Sequence, residues 1–190
     1  MNNYGGKELA EAFRTVRKNT IQIAEEIPED KYQFSPAPDT RTVAQTLAHI
    51  AVSPSFYYVV HSQKVTDMTT LNFVELFENF TREETRPRSK AEIIDYLKAE
   101  GEKFASFLDG LDDTFLGETV TLPPGAQPQT KSRFEMLLSA KEHEMHHRGQ
   151  LMLVERILGQ VPHLTRVMQE RMAARQAQAA TAGAGAEAPR

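Results

Sequence analysis

Apolar residues recur at steps of three and four along most of this chain, the spacing of one face of an α-helix. Leu9, Phe13, Val16, Thr20, Ile23 and Ile27 predict a first helix over Lys7–Ile27, ended by Pro28. A loop of turn formers runs from Pro28 to Thr40, and Asp39 or Thr40 is placed to cap a second helix from Arg41. Val43, Leu47 and Ile50 give that helix its apolar side, and Pro54 is expected to kink it on its way to Val60. Leu71–Phe80 reads as a short aromatic-rich helix, followed by the charged stretch Thr81–Arg88. Ser89 with Glu92 has capping-box spacing and opens a helix bearing Ile93, Tyr96, Leu97, Phe104, Phe107 and Leu108. Leu111–Thr130 is the longest non-helical connection, with a weakly strand-like run at Thr119–Leu122 and a turn at Pro123-Pro124-Gly125. Lys131–Leu158 is the strongest helical pattern, closed by Gly159 with Pro162 beyond.

These elements predict an all-α protein, an up-and-down four-helix bundle with long connections. One domain is expected over residues 1–172. The Ala- and Gly-rich segment 173–190 offers no large apolar residue to bury and is expected to be disordered. No internal repeat is visible. With 40 % apolar residues in 190, the chain has enough material for a core.

Composition then narrows the function classes. The net charge is −4 and there is no basic block, so no electrostatic footprint for nucleic acid is present. No apolar run approaches the ~18 residues of a membrane span. The opening Met1-Asn-Asn-Tyr-Gly-Gly-Lys7 lacks the apolar core of an export signal, and a cytoplasmic location is expected. The absence of Cys excludes disulfides, thiolate ligands and a Cys nucleophile. Any metal must be held by His and carboxylates.

Six His occur, at 49, 61, 143, 146, 147 and 163. Met136, Ala140, His143, His147, Leu151, Val154 and Leu158 form one helical stripe, so His143 and His147 lie on the face to be buried. Imidazoles at i and i+4 are close enough to share one ion. A shared ion would also satisfy two buried rings that otherwise lose hydrogen bonds. The alternative is a pair of ordinary packed His. His146 lies about 60° round the helix from His143 and reads as a neighbouring or surface residue.

His143-Glu-Met-His-His147 formally matches the H-E-x-x-H zinc motif, but no third ligand follows on the same stripe. Glu142, Glu144 and Arg148 are expected to project away from it, which argues against Glu144 as a general base. A third ligand must come from another helix, and His49 is the best candidate, although it equally fits a boundary residue of its helix. His61 reads as a capping or surface residue and His163 as loop.

The segment Arg41-Thr-Val-Ala-Gln-Thr-Leu-Ala-His-Ile50, with His143-Glu-Met-His-His-Arg-Gly-Gln-Leu151 far downstream, resembles the DinB family of four-helix-bundle proteins. The turn-rich Phe34-Ser-Pro-Ala-Pro38 and the Pro/Gly connection fall in matching order, so the resemblance spans roughly residues 7–160. It implies a divalent ion held by His49, His143 and His147. Met145 stands where the family often has an aromatic residue, which should alter packing only. Leu164–Met172 and the tail are not covered.

Three His leave an open coordination position, the mark of a catalytic rather than a closed structural site. Zn, Ni, Fe or Cu all suit imidazole ligands. Because the family includes thiol-dependent transferases and a maleylpyruvate isomerase, the resemblance implies an ion activating a low-molecular-weight thiol, or water, against a small electrophilic substrate. The alternative is a non-catalytic, stress-associated bundle whose metal is structural or absent. Gln150 lies about 20° from His143 and is placed either to contact substrate or to brace a ligand. The family also implies a homodimer, for which the aromatic Phe73–Phe80 segment offers an interface.

Overall fold

The computed structural model describes residues 4–184, with side chains to residue 179. Helix α1 spans Gly6–Glu26 and buries the expected stripe, Leu9, Phe13, Val16, Thr20 and Ile23. Glu8 accepts from the Gly5 N–H at its start, and the chain turns away at Pro28. The second helical region begins later than Asp39 or Thr40. Thr40 instead closes the preceding loop through Ser35 and Ala37, and Asp39 takes a left-handed φ of 60°. Thr42 is the cap, paired reciprocally with Gln45, and α2 runs Val43–Val52. Pro54 interrupts the helix as the first residue of α3, Pro54–Ser62; the single residue between, Ser53, keeps right-handed helical backbone, and the missing N–H leaves the Ile50 carbonyl to another donor.

Helix α4, Phe73–Thr85, extends past Phe80 into the charged stretch, because Asn72 caps it and Arg86 lies in extended backbone. Helix α5, Lys90–Asp109, has the expected Ser89–Glu92 capping box. The connection after it is not wholly irregular. Asp112 caps a one-turn helix α6, Asp113–Gly117, and β1 (Thr119–Thr121) pairs antiparallel with β2 (Thr130–Ser132). The strand-like run therefore forms half of a small hairpin beside the bundle. Helix α7, Arg133–Ile157, is capped by Ser132 and ends before Gly159, whose φ is 80°.

The four principal segments α1, α2–α3, α5 and α7 enclose one core. Both α1 and α2–α3 pack against α5 and against α7, so that sequence neighbours α1 and α2 face each other across the bundle, as do α5 and α7. Each diagonal step needs a connection longer than a helical hairpin loop, and residues 27–42 and 110–132 supply them. Ile23, Ile27, Leu47, Ile50, Leu97 and Leu151 fill one end, and Phe13, Phe104, Leu108 and Leu137 the other.

The Ala-rich segment differs from expectation. Helix α8 runs His163–Ala184, and every described side chain from 169 to 179 is exposed. Alanine has the highest intrinsic helix propensity, so a helix started at Pro162 needs little burial to continue. The rest of the expected tail, residues 185–190, lies outside the described residues. Among the described residues, no helix is long and apolar enough to cross a membrane.

Candidate metal centre

His49 and the His143/His147 pair are 94 residues or more apart in sequence and meet because α2 and α7 are neighbours in the bundle. His49 Nε2 lies 3.2 Å from His143 Nε2, and His147 Nε2 lies 3.2 Å from the same atom. One ring nitrogen from each of the three falls within 4.8 Å of the others. Ligand atoms about 2.0–2.1 Å from a tetrahedral ion stand about 3.3 Å apart, so the two short separations suit such an ion. His147 is buried, and His49 and His143 are half-buried.

The outer nitrogens explain which way the lone pairs point. His49 Nδ1 is 3.0 Å from Glu84 Oε2; a carboxylate accepts, so the ring proton sits on Nδ1 and Nε2 is left as an acceptor. His147 Nδ1 donates to Gln150 Oε1 at 2.8 Å, while the same amide's Nε2 donates to His146 Nε2 at 3.1 Å. Two of the three inward nitrogens are thus lone pairs. Burial lowers all three imidazole pKa values, His143 to about 4 with help from His147 and His49. For His49 the Arg41 charge adds to burial and Glu84 opposes it; for His147 the Gln150 bond opposes burial. Neutral rings with inward lone pairs are what a divalent ion requires.

Glu84 is the residue sequence reasoning missed. It sits in the last turn of α4 and bridges His49 to Arg41, whose Nε donates to its Oε1 at 2.6 Å. A signal existed, because Phe73, Leu76, Phe80 and Glu84 follow at steps of three, four and four, all half-buried. The charged stretch concealed it. Gln150 braces His147 and also lines a cavity, so both expected roles are open to it.

Other expectations are corrected. Glu144 does not project away into solvent; it is buried and paired with Arg17 at 3.0 Å. Its position a whole number of heptads from Leu137 and Leu151 places it on the inner face. Glu142 is exposed as expected, and Arg148 is half-buried. His61 is buried against Arg133 rather than capping at the surface, its Nδ1 3.2 Å from Arg133 Nη1. His163 opens α8 and is buried, donating to Asn19 Oδ1 at 3.3 Å.

A cavity of about 690 Å³, a size that admits a small organic molecule, is lined by one of the three rings, His147. His147, His146, Gln150, Glu84 and Arg41 are among its polar lining residues, and Leu151 is among the apolar ones.

The sequence pattern of the DinB superfamily matches residues 12–151. YjoA, an uncharacterized protein of Bacillus subtilis strain 168, is 26 % identical over 152 residues, covering 80 % of this chain and 90 % of YjoA. The crystal structure of YjoA, a DinB-like protein, superposes with a TM-score of 0.61 at 22 % identity, over 81 % of this chain and 94 % of that one. YfiT from Bacillus subtilis, described as a probable metal-dependent hydrolase with an unusual four-helix bundle topology, gives a TM-score of 0.65 at 14 % identity over 84 % and 91 %. Its likeness establishes the fold. With the family pattern covering most of the bundle and these folds matching it, the chain belongs to the DinB superfamily.

Proposed function

We propose that this chain is a divalent-metal-dependent enzyme, with His49, His143 and His147 as ligands, acting on a small electrophilic substrate held in the adjoining cavity. The observation that carries the reading is the convergence of three Nε2 atoms, two of them fixed as acceptors by Glu84 and Gln150. Zn, Ni and Fe all suit this donor set. When bound, the ion supplies Lewis acidity beside the cavity. The chain's own residues hold the rings, and Glu84 keeps the His49 proton on Nδ1, away from the ion. Gln150 does the same for His147 and shares its amide with His146 at the cavity wall.

Of the two nucleophiles, a low-molecular-weight thiol is favoured over water, making the enzyme a thiol-dependent transferase. A thiol of pKa ~8.5 needs far less help to ionise than water at ~15.7. The carboxylate nearest the rings, Glu84, is already engaged by His49 and Arg41 and is poorly placed to act as a base. Hydrolysis is the second reading, favoured by what is said of YfiT. A second copy would pack on the exposed Val74 and Phe77 face of α4, and the enzyme would work in the cytoplasm.

Elemental mass spectrometry of protein purified without chelator tests the centre. About one equivalent of a divalent metal is expected, and none in a His143→Ala, His147→Ala variant. A wild type that stays metal-free after Zn²⁺ or Ni²⁺ addition overturns the reading and leaves a non-catalytic bundle. Loaded protein assayed on electrophiles with and without added thiol then separates transferase from hydrolase, and light scattering gives the oligomeric state.

A further inference from the structure

Arg17 on α1 reaches every other principal segment of the bundle. Its Nε donates to both Glu144 oxygens on α7, at 3.0 and 3.1 Å. Nη1 donates to the Leu97 carbonyl on α5 at 2.7 Å, and Nη2 to the Ile50 carbonyl on α2 at 3.1 Å. Both charged side chains are enclosed, 5 % and 2 % exposed.

Two details show that the chain is built around this guanidinium. Within a helix the Ile50 carbonyl would accept from the N–H of residue 54, but that residue is Pro54 and has none. Arg17 supplies the missing donor. On α5, a Cβ at Gly101 would stand 2.8 Å from Arg17 Cγ and 2.9 Å from Nη1, so the side chain fits only against a glycine.

Two of these contacts fall one residue from the histidines. Ile50 follows His49, and Glu144 follows His143. We propose that Arg17 and Glu144 are a positioning pair that sets α2 and α7 in register, so that His49 and His143 turn their Nε2 atoms to one point. The functional meaning rests on the reading of the three rings as a metal centre. A buried ion pair can often be replaced by apolar residues of similar volume without loss of stability, so stability alone does not account for the pair. Registry does require it. Apolar contacts survive a small helix rotation, whereas rotation of α7 would strand a buried carboxylate and a buried cation.

The test uses the full chain with Arg17→Met and Glu144→Leu together, which removes both charges and keeps the volume. Long-range ¹H–¹⁵N spectra of the histidines in metal-free protein report tautomer and ring order. Cobalt(II) titration reports affinity and, through the visible spectrum, ligand geometry. The variant is expected to fold and to lose the single Nδ1-protonated form of His49. Cobalt should bind at least roughly tenfold more weakly, with an altered spectrum. Gly101→Ala, which displaces Arg17 without removing it, should shift the same observables in the same direction and decides the matter if the double variant does not fold. Wild-type ring spectra with wild-type cobalt affinity in a folded variant would overturn the pair. If wild-type protein itself takes up no cobalt, the metal reading fails, and the ring spectra alone decide the positioning role.

Discussion

His143 and His61 are both kept neutral far below the usual imidazole range, each at about 4 and each chiefly through burial. Their surroundings differ in what occupies the ring nitrogens. Around His143, carboxylate and amide oxygens take the outer protons of the neighbouring rings and leave lone pairs converging beside a cavity. His61 spends its one lone pair on Arg133, a residue that can only donate, so its proton sits on Nε2. Arg133 is itself fully buried, bonded to Glu118 at 2.8 Å and laid over the Phe115 ring. Burial and a depressed pKa therefore do not distinguish a histidine of the candidate metal centre from a structural one. What the ring nitrogen faces does: two further ring nitrogens at 3.2 Å for His143, and a guanidinium for His61.

The sharpest way to break this contrast is Arg133→Met. It removes the buried cation that bonds Glu118 and His61, and should lower unfolding free energy by about 1.5–3 kcal/mol, the worth of hydrogen bonds to a charged group, while leaving metal content unchanged. Denaturant titration and elemental analysis on the same preparation would show whether both halves hold. The acid limb of stability comes next. Folding depresses the His61 pKa, so the unfolded chain binds the extra proton. The contribution is complete above pH ~6.5 and is lost as pH falls towards about 4. It amounts to about 3 kcal/mol at most, and His61→Gln should flatten the wild-type fall in melting temperature across that window.

Glu84→Gln addresses the other cluster. It keeps the shape and an amide oxygen that can still accept the His49 proton, as Gln150 does for His147, but removes the charge. Metal binding should weaken at the low end of a range of about 10–100-fold, with little change in melting temperature. A chelator competition giving wild-type affinity would show that Glu84 only anchors α4. The smallest effect is expected at Glu155, which is fully buried and has its carboxyl raised to about 7 by burial and by the Glu26 charge. Here the folded state binds the extra proton, so the stability it confers is present below pH ~4.5 and lost as pH rises through about 7. Glu155→Gln should therefore stabilise the protein at pH 8 by about 1 kcal/mol, or roughly 2–4 °C, and have little effect at pH 5.

Much of this was legible in the sequence. Periodicity located α1, α5 and α7 to within a residue or two, and Ser89–Glu92 marked its helix start. The stripe through His143 and His147 was visible because both lie on one helix, where angular position follows from residue number. The cap at Thr42 was missed because Asp39 and Thr40 are equally good capping residues, and their commitment to the loop is a tertiary fact. Glu144 was misplaced because an inward-facing acid is affordable only when a distant Arg17 meets it.

By itself, then, the sequence determined the helices, the class of fold and two of the three histidines that converge, since each depends on residues within a few turns of one another. Which helices become neighbours was decided by tertiary structure alone: α2 lies against α7, and α1 across the bundle from α2. That arrangement brings His49 to His143, Glu84 to His49 and Arg17 to Glu144. The physical reason is one of range. A helix repeats every 3.6 residues whatever surrounds it, whereas a contact between helices depends on how all their buried faces are satisfied together.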